Sequence, residues 1–244
     1  MASLRTIRET LHSARKPGYD ITLAWFFKTK KGEYGYGDKF LGITVPHMRL
    51  VAKQCKDASL SIITHLLSSS WHEERLLGLL ILRLQFDAAK SQTIEKRIYL
   101  FFIRMKKAVN NWDLVDSSAP YIVGAYWLRQ YVKKKTWVEK TQDALLASRS
   151  LWDRRIAVVA TLAFIRTGNF DLTLRAAKAL IHDKEDLLHK ATGWMLREVG
   201  KKDKKVLFTF LRSNASSMPR TMLRYAIEKC TREERNFFLH IPRQ

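Results

Sequence analysis

The chain has 244 residues, 46% of them hydrophobic, with 44 Lys and Arg against 23 Asp and Glu residues and a formal net charge of +21. This length and apolar content predict one domain, spanning residues 1–244, with a sizeable core. A basic excess of this size favours nucleic acid as the partner over an anionic membrane, and leaves a purely solvated basic surface as the weaker alternative.

Several features that the sequence lacks disfavour metal-binding, disulfide-stabilised, secreted and membrane proteins. Cys55 and Cys230 lie in no CxxC pattern, which disfavours a zinc site and a disulfide framework and fits a reducing, intracellular setting. Residues 1–15 have no apolar stretch and do not resemble a secretory signal. No apolar run approaches the roughly 18 residues that a membrane span needs. We therefore expect a cytoplasmic monomer with no metal, no cofactor and no membrane contact.

Helix signals dominate the chain. Only 10 Gly and 5 Pro occur, and apolar residues recur at spacings of three and four. In residues 74–86, for example, Leu76, Leu80 and Leu84 fall on one wide apolar stripe, the pattern of an amphipathic helix. Since no segment alternates as a half-buried strand does, the sequence predicts an all-α fold.

Residues 30–39 (KKGEYGYGDK) interrupt this pattern with a glycine-rich, aromatic and basic segment. The segment lacks the GxxxxGKS or GxxxxGKT pattern of a phosphate-binding loop. A connector between two helices is the favoured interpretation. A loop that contacts a DNA backbone or groove is the functional alternative.

A weak repeat sets the organisation of the chain. Residues 70–73 (SWHE), 110–113 (NNWD) and 150–153 (SLWD) lie 40 residues apart, and later units begin near residues 187 and 217. Each of the three strings resembles a helix start, with an N-cap residue followed by an acid that suits the positive end of the helix dipole. A period near 40 with two helices per unit predicts a HEAT-like helical-repeat solenoid with a concave face.

Equivalent positions after these helix starts indicate what the concave face carries. Arg75, Arg155 and Lys190 would form a row of cations, so that the face is basic and suits a phosphate backbone. Asp116 interrupts the row, where a carboxylate disfavours phosphate binding. The alternative for Asp116 is a purely structural pairing with a neighbouring arginine.

Two tryptophans accompany these charges. Trp112 precedes Asp116 by four residues and Trp194 follows Lys190 by four, so each pair shares a helix face. Tryptophan rings attract cations and stack on bases or sugars. A carboxylate, an arginine and two tryptophans in a basic groove indicate a site for a cationic nucleotide, whereas core packing is the alternative for either tryptophan alone.

The chain also contains four distinctive strings: residues 39–46 (KFLGITVP), residues 110–116 (NNWDLVD), the pair Arg154 and Arg155, and residues 190–198 (KATGWMLRE). These strings closely resemble the AlkD-type DNA alkylation repair proteins, which are HEAT-like-repeat DNA glycosylases, and the resemblance covers nearly the whole chain. It implies excision of positively charged N3- and N7-alkylated purines, such as 3-methyladenine and 7-methylguanine, from double-stranded DNA in base excision repair.

The resemblance also implies roles for particular residues. Asp116 would be the catalytic carboxylate, Arg155 its partner, and Trp112 and Trp194 the rings that line the cleft. Phe26 stands where the family has a tyrosine, so it keeps the ring without the hydroxyl. We expect the DNA-binding surface to include Phe26, Lys28, Arg75, Arg154, Lys190 and Arg220.

Two other functions stay open from the sequence. One is a non-catalytic HEAT-like protein that binds branched or damaged DNA, and the other is a protein-binding scaffold with an apolar or mixed concave face. For the enzyme, no lysine is placed as a Schiff-base nucleophile, so the sequence indicates a monofunctional glycosylase. The presence of Asp116 favours the enzyme over the binding protein.

Overall fold

The computed structural model describes residues 3–242, and helices account for most of them. Within that range the regular structure consists of α-helices, a short 3-10 helix over Lys106–Ala108 and a π-helical turn over Pro120–Gly124. An isolated bridge joins Lys39 and Trp71. The predicted all-α fold is therefore confirmed.

The chain divides into two compact units, Met1–Ser118 and Ala119–Gln244. The first unit contains α1 (Leu4–His12), α2 (Tyr19–Phe26), α3 (Val45–Gln54), α4 (Leu60–Leu67), α5 (His72–Asp87), α6 (Gln92–Met105) and nearly all of α7 (Trp112–Ala119). The second contains α8 (Ala125–Leu146), α9 (Leu151–Val159), α10 (Leu162–Arg166), α11 (Asp171–Ala179), α12 (Asp186–Lys202), α13 (Lys204–Asn214), α14 (Arg220–Ala226) and α15 (Arg232–Leu239). The expectation of one domain over residues 1–244 stays a prediction.

The helices α5, α7, α9, α12 and α14 begin within about three residues of the positions that the repeat indicates. Ser150 caps α9 as expected, since its hydroxyl accepts from the Asp153 amide at 3.5 Å. At α5 the N-cap is Trp71 rather than Ser70, and no side chain caps the helix there. The helix starts are thus confirmed, while the solenoid and its basic concave face stay predictions.

Helix α5 departs from the predicted amphipathic stripe. Its residues 72–82 are buried on every side, including the four titratable residues of its first turn. Helices α3 and α4 both pack against it. An apolar stripe identifies the side that meets a core, but it does not show that the opposite side is covered as well. Helix α5 is therefore the centre of the first unit.

Helix α12 has the corresponding place in the second unit, where it packs against α9, α13 and α14. Its contact with α14 depends on Gly193. A Cβ at that position would lie 2.4 Å from the Met222 carbonyl oxygen and 2.5 Å from the Tyr225 Cβ. The glycine within the KATGWMLRE string is thus required by a close helix–helix approach, because any side chain would force the two helices apart.

Three further features concern membranes, thiols and metals. Between residues 3 and 242, every helix is too short or too polar to cross a membrane. Cys55 and Cys230 are free thiols. The described residues contain no group of three or more His, Cys, Asp or Glu side chains arranged to hold a metal ion.

Candidate active site

Trp112 is the first residue of α7 and belongs to an aromatic cluster in the first unit. The ring of Phe27 stacks on Trp112 with 5.3 Å between centroids. The ring of Phe26 meets Trp112 edge to face at 5.8 Å. Phe27 is buried, whereas Phe26 is 51% exposed. One side of Trp112 is therefore fixed by Phe27, and Phe26 presents an aromatic surface beside it.

Asp116 lies one helical turn after Trp112 in α7 and is partly buried. Leu114 and Val115, between them, are fully buried and anchor the helix in the core. Residues four apart share a helix face. The first unit therefore brings Trp112 and Asp116 onto one face of α7, as the sequence predicted.

The start of α7 also contacts an ionic network that the sequence pattern does not reveal. His72, the first residue of α5, is 2% exposed. Its Nδ1 lies 3.0 Å from Asp38 Oδ2, and its Nε2 lies 2.8 Å from Asp113 Oδ2. The imidazole ring packs at 4.8 Å between centroids against Phe27 and against Phe40. Both ring nitrogens thus contact carboxylates, and the Phe27 and Phe40 rings pack against the imidazole.

Asp38 is the acceptor on which this network converges. Besides His72, it receives a hydrogen bond from Arg75 Nη2 at 2.6 Å and one from Asn111 Nδ2 at 3.3 Å. The Asn111 side chain also accepts from the backbone amide of Trp112 at 2.8 Å. Asp38, at the end of the 30–39 segment, therefore ties that segment to the starts of both α5 and α7.

The prediction of an exposed Arg75 facing a phosphate backbone is wrong. Arg75 is 5% exposed, and its guanidinium pairs with Asp38 and donates to the Ser69 carbonyl oxygen at 3.0 Å. A buried guanidinium requires a carboxylate partner, because an unpaired charge in the core is costly. Arg75 thus belongs to the internal network of the first unit.

The network shifts the pKa values of two of its members. Burial alone would lower the pKa of His72, but the charge of Asp113 and the hydrogen bonds with Asp113 and Asp38 outweigh burial and raise it from 6.5 to about 9. Burial alone would raise the pKa of Asp38, but the hydrogen bond from His72 and the charge of Arg75 hold it below its usual 3.8. Both shifts favour the charged forms.

The two glutamates that follow His72 are also buried and engaged. Glu73 accepts from the backbone amides of residues 41–43 at distances of 2.9 to 3.2 Å. Glu74 pairs with Arg8 of α1 at 2.9 Å and with His12 at 3.2 Å. The first turn of α5 thus holds α1, the 39–46 segment and α7 in place through charged groups.

The 30–39 segment connects α2 to the 39–46 segment, as its favoured interpretation predicts. Lys28, just before it, is exposed, has a φ of +58°, and places its Nζ 5.8 Å from the Trp25 ring centroid. Lys30, Lys31 and Tyr36 are also exposed. The connector therefore offers cationic and aromatic side chains to solvent while Asp38 fixes its end.

In the second unit the two predicted arginines lie in the first two turns of α9. Arg155 is 5% exposed, and its Nη1 donates to the Leu187 carbonyl oxygen at 2.5 Å. Arg154 pairs with Asp183, with 2.7 Å between Nε and Oδ2, and also donates to the Ser148 carbonyl oxygen at 2.9 Å. Both guanidiniums are therefore held in fixed positions.

The remaining predicted residues of the second unit are more accessible. Lys190 forms an ion pair with Asp186 at 2.7 Å in the first turn and a half of α12. Trp194 is partly buried, and its Nε1 donates to Glu198 Oε1 at 3.2 Å. Arg220, the first residue of α14, donates to the Leu239 carbonyl oxygen at 2.9 Å. The meeting of Arg155 and Trp194 with Asp116 in one cleft stays a prediction.

Among solved structures, the fold is similar to one described as "Predicted DNA alkylation repair enzyme from Enterococcus faecalis", with a TM-score of 0.68 and 15% sequence identity. The alignment covers 89% of this chain and 97% of that one. At this identity the comparison shows a shared fold. A comparison with curated proteins found no match.

The family comparison is more specific than the fold. The model of the DNA alkylation repair enzyme family matches residues 7–230. That range covers nearly all of both units and contains α7, α9 and α12, which carry the predicted site residues. The chain therefore belongs to the DNA alkylation repair enzyme family.

Proposed function

We propose that this protein is a monofunctional DNA glycosylase that excises positively charged N3- and N7-alkylated purines, including 3-methyladenine and 7-methylguanine, from double-stranded DNA. One observation carries the proposal. Asp116 lies on the same face of α7 as Trp112, one turn away and partly buried, in a chain with a net charge of +21. A carboxylate in such a surface suits a cationic reacting group better than it suits phosphate binding.

The chemistry of alkylated purines matches a single carboxylate. The base carries a formal positive charge and departs as a neutral molecule, so strong protonation of the leaving group is not required. Positive charge develops instead on the deoxyribose, which acquires oxocarbenium character as the glycosidic bond breaks. A fixed carboxylate stabilises that charge and can orient or deprotonate the attacking water. Asp116 has this role in our proposal.

Arg155, Trp112 and Trp194 assist in the same proposal. Arg155 would keep Asp116 ionised or grip a flanking phosphate, as a guanidinium does in charge-assisted pairs. The tryptophan rings would favour the cationic sugar and the lesion through cation–π attraction. Support for Trp112 comes from its stacking on buried Phe27, which fixes the ring orientation.

The DNA backbone would be bound by the cations that remain accessible. In the first unit, Lys28 is exposed, and the Phe26 ring is exposed beside Trp112. In the second unit, Lys190 keeps 41% of its side chain exposed. Arg154 and Arg220 contribute to a lesser degree because their guanidiniums already donate within the protein. Binding should weaken steeply as salt rises, since phosphate contacts release counterions.

The test is release of free 7-methylguanine from methylated duplex DNA. Wild type should release the base, and Asp116→Asn, which keeps the shape and removes the charge, should lose release while retaining DNA affinity. Asp57→Asn is the matched control, because Asp57 is an exposed aspartate of the same unit. Equal release by wild type and Asp116→Asn, with folding intact, would contradict the catalytic role.

A non-catalytic DNA-binding protein is the alternative that the same experiment decides. It would bind duplex DNA with a steep salt dependence but release no base at any protein concentration. A protein-binding scaffold would show neither property.

A further inference from the structure

The geometry at His72 determines its protonation state. Each ring nitrogen lies within hydrogen-bond distance of a carboxylate oxygen, Nδ1 of Asp38 and Nε2 of Asp113. An ionised carboxylate only accepts hydrogen bonds, whereas a neutral imidazole has one donor nitrogen and one acceptor nitrogen. Two ionised carboxylates can therefore both accept a hydrogen bond from the ring only when both nitrogens carry a hydrogen.

We propose that His72 is a positioning residue that acts as a permanent imidazolium, bridging Asp38 to Asp113 and thereby fixing the first turn of α7 so that Trp112 and Asp116 are held in their working orientation. The effect on base release rests on the proposed glycosylase function. The bridge itself does not depend on it.

The charges around the ring support an imidazolium. Asp38 from the connector and Asp113 from α7 face His72, and Arg75 of its own helix faces Asp38. With His72 charged, the net charge of these four groups is zero. A neutral His72 would leave the buried site with a net charge of −1. The rings of Phe27 and Phe40 pack against the imidazole, which strengthens the ion pairs by keeping water away.

Each carboxylate lies where the surrounding groups favour a negative charge. Asp38 accepts from three donors, Arg75, Asn111 and His72. Asp113 is in the first turn of α7, where the positive end of the helix dipole favours a negative charge.

A second connection runs in parallel from the same aspartate. The fully buried Asn111 donates a hydrogen bond to Asp38 and accepts one from the backbone amide of Trp112. Asp38 thus holds the start of α7 twice, through Asn111 and through His72 with Asp113. These two connections from Asp38 restrict both the position and the rotation of the first turn of α7. The orientation of that turn determines where the Trp112 and Asp116 side chains point.

The protonation state is tested by NMR of the histidine ring nitrogens in the intact chain, with the His72 signals assigned by their absence from His72→Gln. At pH 7.5 both His72 nitrogens should have imidazolium shifts and slowly exchanging protons. A neutral tautomer at this pH would overturn the proposal.

The positioning role is tested in Asp113→Asn and His72→Gln, with Arg8→Gln as the matched control. Arg8 pairs with Glu74 in the same first turn of α5, and Glu74 also pairs with His12 of α1. Below the unfolding temperature of each variant, the first two should slow single-turnover release of 7-methylguanine about tenfold or more with nearly unchanged DNA affinity. Both should also shift the indole N–H resonance of Trp112. Arg8→Gln should lower only the melting temperature.

The outcomes separate this proposal from the proposed function. The positioning role would be overturned if Asp113→Asn released base as fast as wild type and its Trp112 resonance did not move. If wild type releases no base, the glycosylase proposal fails, and the histidine and Trp112 spectra still decide whether His72 holds α7. If His72→Gln does not fold, Asp113→Asn, whose side chain keeps a hydrogen-bonding oxygen, decides the question.

Discussion

The raised pKa of His72 predicts that the protein loses stability as the solution becomes alkaline. The folded state holds the imidazolium proton up to a pKa of about 9, while the unfolded chain releases it near the ordinary value of 6.5. Between these values the folded state binds more protons, so the free energy of unfolding falls as pH rises. At about 1.4 kcal/mol for each pH unit between the two pKa values, the loss from pH 6 to pH 10 is about 3 kcal/mol.

The sign follows from the direction of the shift. The stabilisation from His72 is fully present below pH 6.5 and is lost as pH rises through about 9. The measurement is urea denaturation of wild type and of His72→Gln at intervals from pH 6 to pH 10. Subtracting the two curves removes the contribution of other titrating groups, and the difference should fall by about 3 kcal/mol over this range.

A matched control uses His65, an exposed histidine in the last turn of α4. His65→Gln should keep the pH slope of the wild type. Equal slopes in wild type and His72→Gln would refute the assignment, because the alkaline loss would then come from groups other than the His72 bridge. Asp113→Asn should give a slope between those of wild type and His72→Gln, since it removes one of the two carboxylates that raise the pKa.

Three further substitutions test a close helix contact, a buried carboxylate and an exposed aromatic ring. Gly193→Ala should destabilise the protein by about 1–3 kcal/mol, because its Cβ would overlap the Met222 carbonyl oxygen; an unchanged melting temperature would contradict this. Glu73→Gln should cost about 2–3 kcal/mol in a denaturation curve, since the buried carboxylate accepts three backbone amides, while exposed Glu9→Gln should cost almost nothing. Phe26→Ala should weaken binding to methylated duplex by about 1–3 kcal/mol in a titration, and Phe26→Tyr should not, because stacking needs only the ring.

Much of the fold was predictable because helix starts have local signals. The acids at positions 73, 113 and 153 mark the first turns of α5, α7 and α9, and the 40-residue spacing places them. The shared helix face of Trp112 and Asp116 also follows from spacing alone. These features depend on residues within one or two turns of each other, so the sequence pattern contains them.

The ionic network could not be found in the same way. His72 contacts Asp38 and Asp113, which are 34 and 41 positions away in the chain. Periodicity carries no information on such distant pairings. The error on Arg75 has the same origin, since its partner Asp38 lies in a connector whose sequence suggests only a loop. One signal was available in the sequence, because Asn111 and Asp113 both lie in the NNWDLVD string. In the structure each of them makes a partly buried hydrogen bond in the network.

The proposed glycosylase activity is tested most directly by identifying what leaves the DNA. Duplex DNA carrying 7-methylguanine is incubated with excess wild-type protein, and the small molecules and the strand are weighed separately by mass spectrometry. We expect free 7-methylguanine and an intact strand with one abasic site, with neither product formed by Asp116→Asn. Loss of the methyl group with guanine retained in the strand, or a strand of unchanged mass despite tight binding, would contradict it.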